Sequence, residues 1–485
     1  MLAPLLARVH PLPVLTVVLL LCTALLPVWS VGAIAIATAA VAAAVACLAG
    51  MTLQRRAGAA PAASPAPPAT LAPSDPARRG PGVRAVGDMV LYLSPVLLLT
   101  FAFPIAVTRI AGERVNGVPL TTLLLASSLT VPWLGVAICL PIYRAVGGLI
   151  AGGDMEAIGQ RFCAVWPLTY AQTAPAVLLF AVPLELVMRW PATAWLTYVA
   201  LCLLHAAFAQ SLVVANIGKR RVVWALAWAV YAGTLLLVPS WWFLPPVAGL
   251  VSQLFFLRGH LGAIRRPARL EHADVAQDMG RGVLLGAVLW AHLLLVFLKT
   301  DGAFAVTALF VGLFPAVLAY NYYFVRLAPS FDRAVTQMRS AMEEQPHHRL
   351  RAQSAALAAV VDRSLKRTAV VCAGLTFAVV LAVDLGGRGP LGLVATVAVA
   401  SWLFMMTTLV CYKLDYIGHR GQAQLFSGVH LLLSVIVFLT LPLGVWLYAG
   451  LVAASALVFP AALYSCRQQW GSSDYALFWR HATAW

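Results

Sequence analysis

Uninterrupted apolar runs about 20 residues long dominate this chain, separated by short polar stretches. A run of that length is what an α-helix needs to cross the hydrocarbon core of a bilayer. Inside lipid each backbone N–H and C=O must find a partner within the protein, so only helices and closed barrels span. A barrel strand alternates polar and apolar residues, which these runs do not do. Fourteen runs can be marked, at 12–30, 32–53, 89–109, 120–142, 163–183, 192–214, 222–239, 241–257, 282–299, 303–325, 368–385, 390–412, 424–442 and 443–465. Composition agrees: 62% of the 485 residues are hydrophobic and 10% are charged, against roughly a quarter charged in soluble domains. The expected fold class is an all-α polytopic membrane protein with about 14 transmembrane helices.

The formal net charge is +16, from 33 Lys+Arg against 17 Asp+Glu. On a soluble chain such a surplus suggests nucleic acid. Here the position of the charges decides. An even number of spans puts both termini on one side. With that side inside, 28 of the 33 basic residues fall in cytoplasmic segments; only Arg109, Arg114, Arg189, Lys299 and Arg388 fall outside. This is the positive-inside bias. It predicts a multi-pass protein of the cytoplasmic (inner) membrane with N- and C-termini cytoplasmic, and it explains the surplus without nucleic acid. The first run follows a single basic residue, Arg8, and leads straight into the second, so both are expected to be retained spans.

Polar interruptions divide the chain. Residues 1–53 read as a transmembrane hairpin, and 54–87, rich in Pro, Ala and Arg, as a cytoplasmic linker. A first six-helix bundle is expected over 88–257, a basic cytoplasmic loop over 258–281, a second six-helix bundle over 282–465, and a cytoplasmic tail over 466–485. Within the second bundle, 326–367 is a cytoplasmic amphipathic segment. Phe331, Val335, Met338 and Met342 share one helical face, and Leu350, Leu357, Val361 and Leu365 another after Pro346. These two helices either extend the adjacent spans or lie on the inner leaflet.

Catalytic signatures are not found. No phosphate-binding Gly-rich loop, GxSxG, HExxH or paired-Cys metal pattern occurs, so no catalytic residue, metal or cofactor is assigned and a non-enzyme is expected. The eight cysteines form no CxxC, and most sit inside apolar runs as small core residues. Polar groups within spans are costly and are functional candidates. Gln210, His292 and Asn321 are the substrate-path candidates; hydrogen bonding between helices is the alternative for each. His205 and His430 are also intramembrane. Gly282 and Gly286 have the spacing that lets helices approach closely. Prolines stand mid-span, Pro315 among them, where each frees a backbone carbonyl and kinks its helix. The scarcity of intramembrane carboxylates argues against a simple ion-coupled symporter.

Twelve spans split six and six by a basic loop are similar to the multidrug/oligosaccharidyl-lipid/polysaccharide flippase superfamily. Short motifs in the second half resemble the Pel exopolysaccharide transporter family, the PelG proteins. They are Trp290-Ala291-His292, where the family has Trp-Ala-Asp; Phe324-Val325-Arg326 running to Phe331-Asp332; Tyr412-Lys413-Leu414-Asp415 leading to His419-Arg420; Trp446-Leu447-Tyr448-Ala449-Gly450; and Ser473-Asp474-Tyr475-Ala476-Leu477-Phe478. The matches fall within residues 120–485. The resemblance implies a flippase-like 6+6 core behind the hairpin, and its motifs contain Trp290, Arg326 and Asp415, which join Pro315 from the mid-span prolines as structural or gating candidates. It further implies export of a hexosamine-containing exopolysaccharide, beside a cytoplasmic glycosyltransferase and membrane scaffold proteins, in contact with membrane lipid. The alternatives are a membrane glycosyltransferase or ligase using a lipid-linked donor, and a non-transporting scaffold of a polysaccharide synthesis complex.

Overall fold

The computed structural model describes residues 83–150, 153–344, 347–386 and 390–475. The expected N-terminal hairpin, almost all of the linker and the end of the tail lie outside the described residues. The first half consists of α1 (Val83–Arg109), α2 (Leu120–Ile150), α3 (Met155–Ala171), α4 (Thr173–Met188), α5 (Ala192–Ser211), the short α6 (Val213–Ile217), α7 (Arg221–Leu237) and α8 (Leu244–Leu257). The second half consists of α9 (His272–Lys299), α10 (Val306–Tyr322), a π-turn (Tyr323–Leu327), α11 (Ala328–Glu344), α12 (His347–Gly386), α13 (Leu391–Tyr416), α14 (Arg420–Thr440) and α15 (Val445–Gly471). One two-residue-stranded hairpin, Arg114–Val115 with Val118–Pro119, joins α1 to α2 through Asn116-Gly117, both at positive φ, as this tight turn type requires.

Twelve of the fourteen expected runs are helical among the described residues. Ten helical segments are long and apolar enough to cross a bilayer. Two of these carry a local break: α3 passes into α4 at Gln172, and α5 into α6 at Leu212. The exceptions are α7 and α8, with 17 and 14 residues. At ~1.5 Å per residue they fall short of a ~30 Å hydrocarbon core. They form a pair that turns through Trp241-Trp242-Phe243, aromatic residues suited to the membrane–water boundary. Side chains such as Leu186, Phe377, Leu439 and Leu457 are more than two-thirds exposed. An apolar exterior of this kind is what a lipid solvent demands, and the chain is a multi-pass membrane protein.

Several boundaries differ from expectation. α9 begins at His272, not near 282, because Asp274 and Asp278 on its first turns are anchored by ion pairs to α2. α10 runs through the π-turn into α11, and α12 is a single helix of 40 residues, roughly twice what a bilayer needs. The amphipathic pieces thus continue the neighbouring spans. Their apolar faces meet: Phe331, Val335 and Met338 of α11 and Leu357, Val361 and Leu365 of α12 are buried in one cluster with Trp470 of α15. Beyond α15 the chain turns back, and the Ser473 hydroxyl lies 2.7 Å from that of Ser354 on α12.

The most extensive helix pairing in the molecule joins the two halves, α2 against α9. It depends on glycine. A Cβ on Gly286 would lie 2.8 Å from the Trp133 carbonyl oxygen, and one on Gly282 would fall on the Ala137 backbone. Trp133 in turn donates its indole N–H to the Val283 carbonyl at 2.7 Å. Within the halves, α1 packs on α7, α2 on α5, α10 on α13, and α13 on α15.

Candidate functional site

Ion pairs close the seam between the halves at one end, where most of the basic residues gather. Arg144, in the last two turns of α2, reaches Asp274 at 2.9 Å and Asp278 at 3.2 Å on α9. Arg281, one turn further along α9, binds the other Asp278 oxygen at 2.9 Å, and its Nε lies 3.4 Å from Asp415 at the end of α13. The chain Arg144–Asp278–Arg281–Asp415 therefore ties the first half to two helices of the second. Its Arg144 end is open to solvent, the side chain being 42% exposed; the rest is not, with Asp278 at 2%, Arg281 at 8% and Asp415 at 15%. Beside it a crevice of about 220 Å³, lined by Arg144, Arg161, Glu271, Asp274 and Asp278, opens between the halves.

Buried pairs of this type have a particular energetic character. Desolvating two charges nearly cancels the Coulomb energy they gain, so the intact pair adds little net stability. Removing one partner strands the other and costs far more. Such a contact is specific when closed, yet parting it with water entry is cheap, which suits a reversible gate. The Gly282/Gly286 contact starts beside Arg281, so helix–helix contact and ion pairs meet at the same end of the seam.

The same end holds Lys413, which is fully buried on α13. Its Nζ lies 2.9 Å from the centre of the Phe331 ring and 5.2 Å from that of Tyr323. Its amine is enclosed by these aromatic faces. This couples α13 to the π-turn and α11, two residues from Asp415.

The three path candidates are not brought together. Gln210 is fully buried inside the first half. Its Oε1 accepts the Trp166 indole N–H at 3.0 Å, and its Nε2 donates to the Ile138 carbonyl and the Thr173 hydroxyl, each at 3.2 Å. It holds α2, α3, α4 and α5 together. His292 is buried inside the second half, its ring 5.0 Å from Phe404 and 6.1 Å from Tyr448; His430 meets Phe404 edge-on, with ring centres 5.2 Å apart, and bonds Ser455 at 3.1 Å. Asn321 is half-buried near the end of α10 and donates to the Val317 carbonyl one turn back, at 2.8 Å. In this conformation Gln210 and His292 make their contacts within separate halves and not across the seam.

Of the gating candidates, Asp415 lies in the ion-pair chain. Trp290 is half-buried against the core, Pro315 is buried in α10, and Arg326 is exposed on the π-turn. Sequence reasoning missed Arg144, Asp274, Asp278 and Arg281 as a unit. The available signal was the spacing of 274, 278 and 281, which places two carboxylates and a guanidinium on one helical face. Among the described residues no cluster of three or more His, Cys, Asp or Glu could hold a metal ion.

No protein-family model matches the chain, and no curated protein matches it. Solved structures with a similar backbone are MATE transporters. A Vibrio cholerae MATE transporter, VcmN, in its bent form superposes with a TM-score of 0.51 at 14% identity, covering 81% of this chain and 97% of that one. A MATE protein in complex with MaD5 follows with a TM-score of 0.43 at 13% identity, over 81% of this chain and 96% of that one. An outward-facing multidrug resistance MATE transporter of the MOP superfamily has a TM-score of 0.41 at 13% identity, over the same shares, 81% and 96%. The first of these likenesses establishes the fold alone: the chain has the fold seen in that MATE protein.

Proposed function

We propose that the protein is a transporter whose two six-helix halves rock against each other, and that the chain Arg144–Asp278–Arg281–Asp415 is its inner gate, here closed. The observation that carries this reading is the ion-paired seam itself. Two bundles meet along α2 and α9, and the contact ends in buried charges that gain little by being dry. Rigid-body rocking of two bundles about such a seam is a general route to alternating access.

The distribution of basic residues supports placing this gate on the cytoplasmic side of the inner membrane, with both termini there. The cargo we propose is a polar exopolysaccharide of the hexosamine-containing, Pel-like kind, moved outward. The support is the set of motifs in the second half, two of which, Tyr412-Lys413-Leu414-Asp415 and the stretch from Phe324 to Asp332, supply Asp415, Lys413 and Phe331 to the gate region. A cytoplasmic glycosyltransferase and membrane scaffold proteins would deliver the polymer to that side.

Two measurements test this. Deleting the gene should abolish a secreted hexosamine-containing polymer, and restoring the gene should return it. A pair of cysteines at Arg144 and Asp274, in a background lacking other cysteines and bridged by a reducible bis-thiol reagent that spans the length of the lost Arg–Asp pair, should lock the seam and block export until reduced. Normal polymer output from the deletion strain would sink the substrate assignment. Full export through the cross-linked protein would sink the gate.

A further inference from the structure

A second crevice at the basic end lies away from the seam, between α12 and α15, with a volume of about 410 Å³. Val361, Asp362, Leu365, Lys366, Arg467 and Trp470 line it. Asp362 is shared by two cations, Lys366 at 2.7 Å and Arg467 at 2.8 Å. One carboxylate between two cations leaves the crevice positively charged, and the exposed Arg363 and Arg367 on α12 add to it. Both lining cations are more than half exposed, at 67% for Lys366 and 54% for Arg467, so beside their pairing with Asp362 each keeps N–H donors open to a second anion.

Two further features bear on what that anion is. Trp470, 1% exposed at the inner wall of the crevice, has an indole N–H with no hydrogen-bond partner; a buried donor of this kind is worth an acceptor oxygen. Next, the faces that carry the cations continue as apolar tracks into the membrane. On α12, Lys366 is followed at helical spacing by Val370 and Phe377, 72% and 70% exposed. On α15, Arg467 is preceded by Tyr464 and Leu457, 72% and 73% exposed. Positive charge at the boundary above two apolar tracks is the outline of an amphiphile with an anionic head.

We infer that this crevice is a binding site for an anionic phospholipid of the leaflet at the basic end. Its phosphate lies between Lys366 and Arg467, an oxygen reaches toward the Trp470 N–H, and its acyl chains run along Val370–Phe377 and Leu457–Tyr464. The site joins α12, whose neighbour α13 carries Asp415, to α15. A basic pocket between transmembrane helices at the cytoplasmic boundary is suited to such headgroups. The inference does not depend on the cargo or on the gate.

The test uses the purified full-length protein in a neutral detergent. Phosphatidylglycerol, phosphatidylcholine and inorganic phosphate are titrated separately, with bound lipid read by native mass spectrometry and stabilisation by thermal unfolding. Phosphatidylglycerol should bind and raise the melting temperature, while phosphatidylcholine and phosphate should not. A basic residue at an anionic surface contributes roughly fivefold in affinity, so Lys366→Gln with Arg467→Gln should weaken binding about 25-fold. Arg258→Gln, which removes a charge from the same end outside the crevice, should leave it unchanged. Equal binding of phosphatidylcholine overturns the proposal. So does equal stabilisation by inorganic phosphate alone, which would make the crevice a phosphate pocket. Undiminished phosphatidylglycerol binding by the double variant, folded as judged by cooperative melting without lipid, overturns it as well.

Discussion

Replacing Gly282 with alanine should destabilise the contact between the halves, and replacing Gly280 should not. A Cβ on Gly282 would lie 2.9 Å from the Ala137 nitrogen and 2.9 Å from the Val136 oxygen, and nearer still to the Ala137 Cα. Non-bonded carbon contacts settle at about 3.5–4 Å, so the Cβ and the Ala137 Cα must part by roughly 1 Å or more. All three obstructing atoms are backbone, so no side-chain rotation relieves the clash. Overpacking of this kind costs about 1–3 kcal/mol. Against it stands the helical preference of alanine over glycine, about 1 kcal/mol. At Gly280, two residues earlier on the same helix, a Cβ meets nothing within 4 Å, so only the helical gain applies. That gain is common to both variants and cancels in their difference. Gly282→Ala should therefore unfold about 1–3 kcal/mol more easily than Gly280→Ala. The assay is thermal unfolding of the two purified variants in one detergent. Gly282→Ala melting at or above Gly280→Ala would refute the close approach of α2 and α9.

The ion pairs make a graded series. Asp278→Asn, which leaves the buried Arg281 with only the longer contact to Asp415, should cost about 1.5–3 kcal/mol. Adding Arg281→Met should recover a good part of this, as a double-mutant cycle on chemical or thermal unfolding would show. Arg144→Gln, at a half-hydrated position, should cost under about 1 kcal/mol. Gln210→Leu removes the acceptor of the Trp166 N–H and should destabilise by about 1–3 kcal/mol without altering which polymer is exported, as measured by sugar analysis of the secreted material. His292→Phe should keep both fold and export, because the ring sits between Phe404 and Tyr448, whereas His292→Asp should lower stability by burying a carboxylate there. Loss of export in a well-folded His292→Phe would place that histidine in the transport path.

Much of the fold is legible in the chain because a bilayer imposes one length scale and one polarity rule. The runs from 89 to 465 correspond to helices α1 to α15, and Gly282 and Gly286 do mark a close approach. What the chain hides is the partner. Arg144 and Asp278 are 134 positions apart, and Asp274, Asp278 and Arg281 look from sequence like part of a hydrated basic loop. Lys413 reads as one more loop cation, yet it is buried on Phe331. Gln210 and His292 read from sequence either as path-lining groups or as interhelical contacts; in the fold Gln210 hydrogen-bonds inside the first half and His292 packs inside the second.

The reason lies in the solvent. In water a helix shows its buried face by the period of its apolar residues. In lipid the outward face is as apolar as the inward one, so periodicity no longer tells which side meets a neighbour. The sequence by itself therefore determined that this chain spans a membrane many times, roughly where it does so, and how its charges sort. Only the tertiary structure decided which helices form the seam, which charges close it, and which polar side chains lie inside each half.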